Sequence, residues 1–432
     1  MRSEREPGGD RRRRLAGDSW FPQLLLIATL MLTTINAVRP MASYRALSLG
    51  ATPLEIGLLP AAFAVLSLVV AVPAGRWIDR IGEAPFLLLG TVLMVVSLAA
   101  MIWVDTVLLL IATQAVLGLG HIINIIAAQT MIANRTSRDG RDARYGYYSV
   151  AASLGQLIGP VAAGVIAGTV AAQRGDTVGE STTLVFVAAT MVSIPALLLS
   201  VNLLRDQPRR GPGATGPTQH GYLRSASEIL RMPTMLPAIA VSIGVILSID
   251  LLVAYLPVYG EERGLPVELV GALLSVRAAS SMASRLAMPR LISMVGRARL
   301  LWGSAALAGV TLALVPFTDT PALLVGLMVL TGLGLGFGQP MTIAWVASRA
   351  PHSLRATALG VRLTGNRIGQ LVIPAGVGLA AGVLGIAAVF WSMAIVLLAS
   401  AAVVRRTPFE ASSPSPEAPS HAAERTGDDG RG

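Results

Sequence analysis

The feature that most constrains this chain is an internal repeat. Residues in the first half recur in the second half at a constant offset of 214 positions. Gly118–Gly120 recurs as Gly332–Gly334, and Gly155–Leu157 recurs as Gly369–Leu371. We therefore expect two structurally equivalent halves. Further matched pairs are Gly50 and Gly264, Gly57 and Gly271, Arg76 and Arg290, Gly82 and Gly296, Gly146 and Gly360, and Pro160 and Pro374.

Apolar stretches fill both copies of the repeat. Only 13% of residues are charged and 53% are hydrophobic, whereas soluble proteins are about 25% charged. Each stretch can cross a hydrocarbon core of about 30 Å, and a backbone in lipid must satisfy its own hydrogen bonds as a helix. We predict an all-α membrane protein with twelve transmembrane helices in two pseudo-symmetric six-helix bundles. The predicted spans are 20–43, 53–75, 84–104, 107–133, 146–171, 182–203, 234–259, 266–289, 299–317, 321–347, 355–382 and 384–404.

The placement of arginine predicts the orientation. The chain has no lysine, so arginine supplies the positive charge behind its net charge of +10. With a cytoplasmic N-terminus, the outer loops contain only Arg45, Arg174 and Arg263, which fits the positive-inside rule. We expect a multi-pass protein of an inner or plasma membrane with both termini cytoplasmic. The predicted parts are a basic tail 1–19, bundles 20–203 and 233–404, a linker 204–232 and a disordered tail 405–432.

The loop after the second span has the pattern Gly-x-x-x-Asp-Arg-x-Gly. The pattern residues are Gly75, Asp79, Arg80 and Gly82. The chain here resembles the major facilitator superfamily, and the resemblance implies the fold of that family and a latch that ties the two halves together in one state. The sequence departs from the family pattern at Glu83, where a basic residue is usual, and at Ser293, which replaces the aspartate in the second copy.

The span 146–171 contains a second motif. Gly155, Gly159 and Pro160 are followed by Ala163 and Gly164, which resembles the antiporter motif of drug–proton exporters with alanine in place of one glycine. Small residues four apart permit close helix contact, and Pro160 is expected to bend the helix where the halves pivot. Simple close packing of the spans is the alternative, since it produces the same spacing.

The span 107–133 contains Gln114 followed by Gly118 and Gly120. Many proton-coupled relatives have arginine at the first position, so Gln114 lacks a group that the resemblance would assign to proton coupling. His121 shares a helical face with Gln114. It is either a titrating residue in a cavity or a neutral packing residue, and both alternatives remain open.

Ionised residues inside spans are the strongest indication of a site, because each is costly unless paired or hydrated. Asp250 and Arg277 lie at similar depths in the hairpin of the spans 234–259 and 266–289. We expect an ion pair between them, which either switches during coupling or is static. Asn36 is the repeat equivalent of Asp250, and Arg39 lies one turn away.

The span 355–382 contains two further arginines. Arg362, Asn366 and Gln370 share one face, whereas Arg367 is about 140° away from Arg362 on a regular helix. Arg367 is the candidate for substrate binding, and Arg362 is the candidate for a gate or an interface. Four arginines against one aspartate leave the interior with three excess positive charges, which favours an anionic or carboxylate-bearing ligand.

These observations predict a secondary active transporter of a small organic solute, with proton-coupled efflux by alternating access. The alternatives are proton-coupled uptake of an organic anion and a non-transporting receptor on a transporter fold. We expect no enzyme activity, no cofactor and no nucleic-acid partner; the bilayer, a small substrate and protons are the expected partners of a monomer. Without cysteine and with scattered histidines, no metal site is predicted. The histidines are His121, His220, His352 and His421.

Overall fold

The computed structural model describes residues 19–137, 140–175, 177–205, 227–232, 234–350 and 354–407, and within these residues all regular structure is helical. The helices of the N-terminal half are α1 Trp20–Ser48, α2 Pro53–Ile81, α3 Glu83–Ala100, α4 Val107–Arg135, α5 Arg141–Arg174 and α6 Val178–Arg205. Those of the C-terminal half are α7 Met235–Glu262, α8 Val267–Val295, α9 Arg297–Leu314, α10 Pro321–Gly336, α11 Gly338–Arg349, α12 Arg355–Leu384 and α13 Ala387–Arg406.

Eleven predicted spans each correspond to one helix and the remaining one, 321–347, to two, so the prediction of an all-α fold with twelve spans is confirmed. By length and composition, eleven of the described helical segments are apolar enough to cross a membrane. The segment that this criterion omits is α8, which contains Arg277, Arg285 and Arg290. It packs between α5 and α10 like the other members of the bundle. Because α8 is the repeat equivalent of α2, we interpret it as a spanning helix with a polar stretch at its arginines.

One predicted span consists of two helices. The stretch 321–347 is interrupted at Phe337, between α10 and α11. The flanking Gly336 and Gly338 weaken a helix because glycine loses more backbone entropy than other residues. A side chain at Gly338 would also collide with Val245 of α7. The break at Phe337 therefore allows α10 and α11 to pack closely against neighbouring helices of the C-terminal half.

The two halves repeat each other in their internal contacts. The Ser67 hydroxyl donates to the Gly118 carbonyl at 3.0 Å, and the Ser281 hydroxyl donates to the Gly332 carbonyl at 2.9 Å. Both serines and both glycines are separated by the repeat offset. The sequence repeat is thus a repeat of helix packing, as a pseudo-twofold arrangement of two bundles requires.

The halves meet through two equivalent helix pairs, α2 with α12 and α5 with α8. Gly57 of α2 lies on the carbonyl of Pro374, and Gly271 of α8 lies on the carbonyl of Pro160. The repeat relates the two contacts to each other, because Gly57 is equivalent to Gly271 and Pro160 is equivalent to Pro374. Glycine is required here, since a side chain would overlap main-chain atoms of the other half.

Both contact regions lie away from Trp20, which begins α1, and from Arg406, which ends α13. We call the side of the bundle that holds these two residues the terminal side and the opposite one the distal side. Gly164 also approaches the Val267 carbonyl, and Gly378 approaches the Pro53 carbonyl. We call the contacts of Gly57, Gly164, Gly271 and Gly378 with the opposite half the distal seal.

Several predicted regions lie outside the described residues. These are residues 1–18 of the predicted basic tail, 206–226 of the linker, and 408–432 of the disordered tail. The side chains of Gly75 and Asp79 in the predicted latch also lie outside the described set. Of the linker, residues 227–231 are helical, and Ile229 is buried against the C-terminal half. The described part of the latch ends at Gly82, whose φ of 109° suits glycine.

Candidate functional site

An ion pair joins the two halves near the middle of the bundle. The Arg39 Nη2 atom of α1 lies 2.9 Å from the Asp250 Oδ1 atom of α7, and the two side chains are only 15% and 8% exposed. The other carboxylate oxygen of Asp250 accepts a hydrogen bond from Gln370 of α12. Asp250 is thus held from both halves at once.

This geometry corrects the pairing expected from helix depth. Asp250 pairs with Arg39 rather than with Arg277, because equal depth in a hairpin does not determine the direction in which the two side chains project. Arg277 is 5% exposed and makes no hydrogen bond or ion pair with the described residues; its Nε atom is fully buried. Asp250 attracts Arg277 only at longer range, and a buried guanidinium without a direct ion pair is costly in a membrane. Arg277 therefore has the properties expected of a ligand-binding cation.

A hydrogen-bonded chain extends the ion pair into the C-terminal half. Arg367 donates from Nη1 to the Gln370 Oε1 atom at 3.0 Å, and Gln370 donates in turn to Asp250. Asn366, one residue before Arg367, is buried, and its Oδ1 atom has no donor among the described residues. Arg39, Asp250, Gln370 and Arg367 thus form one connected network across α1, α7 and α12.

Arg362 points away from this network. It donates to the side chains of Gln339 and Thr342 in α11, so its contacts lie within the C-terminal half. Its proposed role as a gate stays a prediction. Gln339, which also donates to the Ser242 carbonyl of α7 at 3.0 Å, was not expected from the sequence. The available signal was a polar residue directly after the glycine-rich break in an apolar span.

An aromatic group supports the N-terminal side of the network. The Arg39 guanidinium lies 4.9 Å from the ring centre of Phe63, and the His121 ring lies 5.5 Å from the same ring. Phe63 was missed in the sequence, although its repeat equivalent is Arg277. His121 has no hydrogen bond to a described residue, so the geometry leaves both alternatives for it open.

A small cavity adjoins the ion pair. Buried polar atoms without a described partner line it, namely Ser43 Oγ and Gln114 Nε2. Together with Arg39, these residues give the cavity a polar side next to apolar residues, and polar groups of this kind suit a water molecule or the polar end of a ligand. The full lining is Arg39, Ser43, Leu59, Pro60, Gln114, Val253 and Ala254.

The antiporter-like motif presents two faces. Gly155 and Gly159 lie against the main chain of Thr33 in α1, within their own half. Pro160 lies in the distal seal, where the next amide, that of Val161, donates to the Ser275 hydroxyl of α8 at 3.1 Å. One face of the motif therefore packs against α1 of its own half, and the other face packs against α8 of the opposite half.

Asn36 and the latch residue Arg80 also lie outside the network. Asn36 donates to the Leu32 carbonyl of its own helix at 2.7 Å, and Arg80 is exposed at the terminal end of α2. Asn36 therefore does not take the place of Asp250 in the N-terminal half. This asymmetry places the only mid-span carboxylate of the chain in the C-terminal half.

Comparison with known proteins agrees with this architecture. A model of the Major Facilitator Superfamily matches residues 24–321 and 268–427. The chain is 32% identical to multidrug resistance protein 2 of Bacillus subtilis (strain 168) over 115 residues, which is 26% of this chain and 28% of that protein. The matched region therefore spans less than a third of this curated relative.

The solved structures with similar folds are transporters. The nucleoside transporter NupG has a TM-score of 0.70 at 14% identity, with 90% of this chain and 98% of that chain covered. A POT family transporter in complex with 5-aminolevulinic acid has a TM-score of 0.73 at 14% identity, with 89% and 95% covered. An inward-facing, unoccupied bacterial homologue of the human lysosomal transporter Spinster has a TM-score of 0.69 at 15% identity, with 90% and 96% covered.

Proposed function

The chain belongs to the Major Facilitator Superfamily, and from this premise we propose that it exports a small organic solute in exchange for protons by alternating access. It is a multi-pass membrane transporter and not an enzyme. We place it in an inner or plasma membrane with the terminal side in the cytoplasm, because the described helix ends and loops of the distal side contain only Arg45, Arg174 and Arg263 as basic residues. The short likeness to a multidrug resistance protein supports the outward direction.

The observation that carries the proposal is the ion pair between Arg39 and Asp250. It links α1 to α7 across the boundary between the halves, so a change in the charge of Asp250 changes the attraction between them. Protonation of Asp250 removes its charge and releases Arg39. A ligand that binds better to one arrangement of the halves then shifts the equilibrium between them, as coupling requires.

The distal seal supports a state that is closed toward the outside. Main-chain carbonyls of one half lie directly on glycines of the other at all four contacts. The closest contacts of the seal are between main chains, and the hydroxyls of Tyr255 and Ser275 add hydrogen bonds across it, so its opening requires the halves to move relative to each other. Alternating access by rocking of two bundles depends on contacts of this kind.

The buried charges support a substrate with an anionic group. Asp250 forms its ion pair with Arg39 and attracts Arg277 and Arg367 only at longer range, so one buried carboxylate faces three arginines that are buried or partly buried. We propose that Arg277 and Arg367 bind the anionic group and that Gln370 positions Arg367. The same excess of buried positive charge favours a second candidate function, which is proton-coupled uptake of an organic anion.

Flux across inverted vesicles tests the direction. In inside-out vesicles acidified in the lumen, an exporter is expected to accumulate substrate and to dissipate the proton gradient when substrate is added. Ethidium and carboxyfluorescein serve as cationic and anionic probes, and empty vesicles serve as the control. Proton-driven accumulation in right-side-out vesicles instead would support uptake. Specific binding of a probe without flux in either orientation would support the receptor alternative.

The arginine assignment predicts a loss of affinity for carboxylates. Arg277→Gln and Arg367→Gln are each expected to weaken binding of a carboxylate probe roughly 10- to 100-fold, since a hydrogen bond to a charged group contributes about 1.5–3 kcal/mol. Arg285→Gln is the matched control, because it removes a cation from α8 that bonds the Gly336 carbonyl instead. Probe-dependent thermal stabilisation in detergent measures the effect. Equal loss in all three variants would refute the assignment.

A further inference from the structure

A groove on the terminal side of the C-terminal half is separate from the transport site. It runs between α9 and α13 and has a volume of about 460 Å³. Alanines form its floor, and arginines and a tryptophan form its rim. The lining residues are Trp302, Ala306, Ala401, Ala402, Arg405 and Arg406.

The rim is cationic and has no internal counter-ion. Arg405 and Arg406 are exposed and make no ion pair within the described part of the chain, and the Arg405 guanidinium lies 5.9 Å from the ring centre of Trp302. Neither α9 nor α13 contains an acidic residue. Arg299 lies three residues before Trp302, on the same helical face. Positive charge is therefore concentrated at one end of an apolar slot.

The N-terminal half offers a natural comparison. The repeat equivalent of Arg297, the first residue of α9, is Glu83, the first residue of α3. Glu83 is buried and pairs with Arg135 at 3.0 Å. At these equivalent positions the N-terminal half has a buried acid in an ion pair, whereas the C-terminal half has an exposed arginine. Packing alone does not require this difference, since both helices occupy equivalent places in their bundles.

We infer that the groove binds an anionic phospholipid from the leaflet on the terminal side. Arg405 and Arg406, with Arg299, contact the headgroup phosphate, and an acyl chain lies in the slot over Ala306 and Ala402. Basic pockets between spanning helices have the charge that anionic headgroups require, and the tryptophan suits the boundary between headgroups and acyl chains. The size of the groove and its position at the ends of α9 and α13 match a lipid better than a soluble anion, which would need no apolar floor.

Native mass spectrometry of the purified full-length protein tests this site. After equal exposure to phosphatidylglycerol and phosphatidylcholine, we expect preferential retention of phosphatidylglycerol. The double variant Arg405→Gln/Arg406→Gln is expected to lower that retention about tenfold or more. Arg205→Gln removes an exposed arginine from the end of α6 and is expected to leave it unchanged. Equal losses in both variants would show general attraction of lipid to basic ends and would overturn the inference.

A second variant separates the slot from its charges. Ala402→Trp fills the slot at an exposed position and leaves every arginine in place, so it is expected to lower phosphatidylglycerol retention without loss of fold. Soluble glycerol phosphate, which has a headgroup phosphate but no acyl chains, is expected not to compete. Competition by glycerol phosphate, or full retention in Ala402→Trp, would show that no acyl chain is bound.

Discussion

Asp250→Asn is expected to abolish proton-driven transport and to lower the free energy of unfolding by about 3–5 kcal/mol, because Arg39 then remains buried without its counter-ion. Asparagine has nearly the volume of aspartate, so the packing between α1 and α7 is retained while the charge is lost. Accumulation of substrate in inside-out vesicles and thermal unfolding in detergent measure the two effects. Glu83→Gln is the matched control. It breaks the buried pair with Arg135 inside one half and is expected to reduce stability but not coupling.

The double variant Arg39→Gln/Asp250→Asn separates a structural role of the pair from a coupling role. With both charges removed, no uncompensated charge from the pair remains buried, and we expect recovery of the fold and of substrate exchange at equal pH. Proton-driven accumulation should stay absent, because the double variant has no mid-span carboxylate. Recovery of full proton-driven accumulation in the double variant would show that the pair only stabilises the fold.

Gly57→Ala/Gly271→Ala is expected to open the distal side. Each added Cβ atom would overlap a main-chain carbonyl of the other half, and overlap of this kind typically costs about 1–3 kcal/mol. Each substitution therefore favours the arrangement with the seal open by roughly 5- to 150-fold. The chain has no cysteine, so Ser43→Cys, at a buried position beside the small cavity, provides a single reporter thiol. Its labelling by an impermeant maleimide added from the distal side should accelerate.

Gly376→Ala is the control for this experiment. Gly376 lies in α12 between Pro374 and Gly378, but a Cβ atom there would meet nothing within 4 Å. Its variant is expected to label as slowly as the parent that contains Ser43→Cys alone. A folded double variant whose thiol stays protected would contradict the idea that the seal closes the distal side.

Much of the fold could be predicted because membrane helices depend on properties that are local in sequence. Continuous apolar length determined the helices, and the recurrence of glycines predicted two equivalent halves. The break at Phe337 between α10 and α11 was not predicted, because apolar content alone does not show where glycine interrupts a helix. Apolar content also fails in the opposite direction at α8. Its arginines make this helix too polar to be recognised as a spanning helix by composition.

The sequence pointed to candidate residues for the site, whose roles stay a prediction, but not to the contacts among them. Arg39, Asp250, Arg277 and Arg367 stand out in the sequence because ionised groups are rare in spans. The pairing of Asp250 with Arg39 depends instead on how α1 and α7 face each other across the two halves. Phe63 and Gln339 were missed because an aromatic ring or an amide in a span is unremarkable until its neighbours are known.

Sequence alone determined that this protein is a duplicated helical bundle in a membrane with excess positive charge inside, because hydrophobic length, glycine spacing and formal charge are read along one chain. Only the tertiary structure decided that Asp250 pairs with Arg39, that Arg277 makes no ion pair with a described residue, and that glycines of each half lie on carbonyls of the other half on the distal side. Those facts depend on the rotation of each helix about its axis and on contacts between residues about 100 to 300 positions apart.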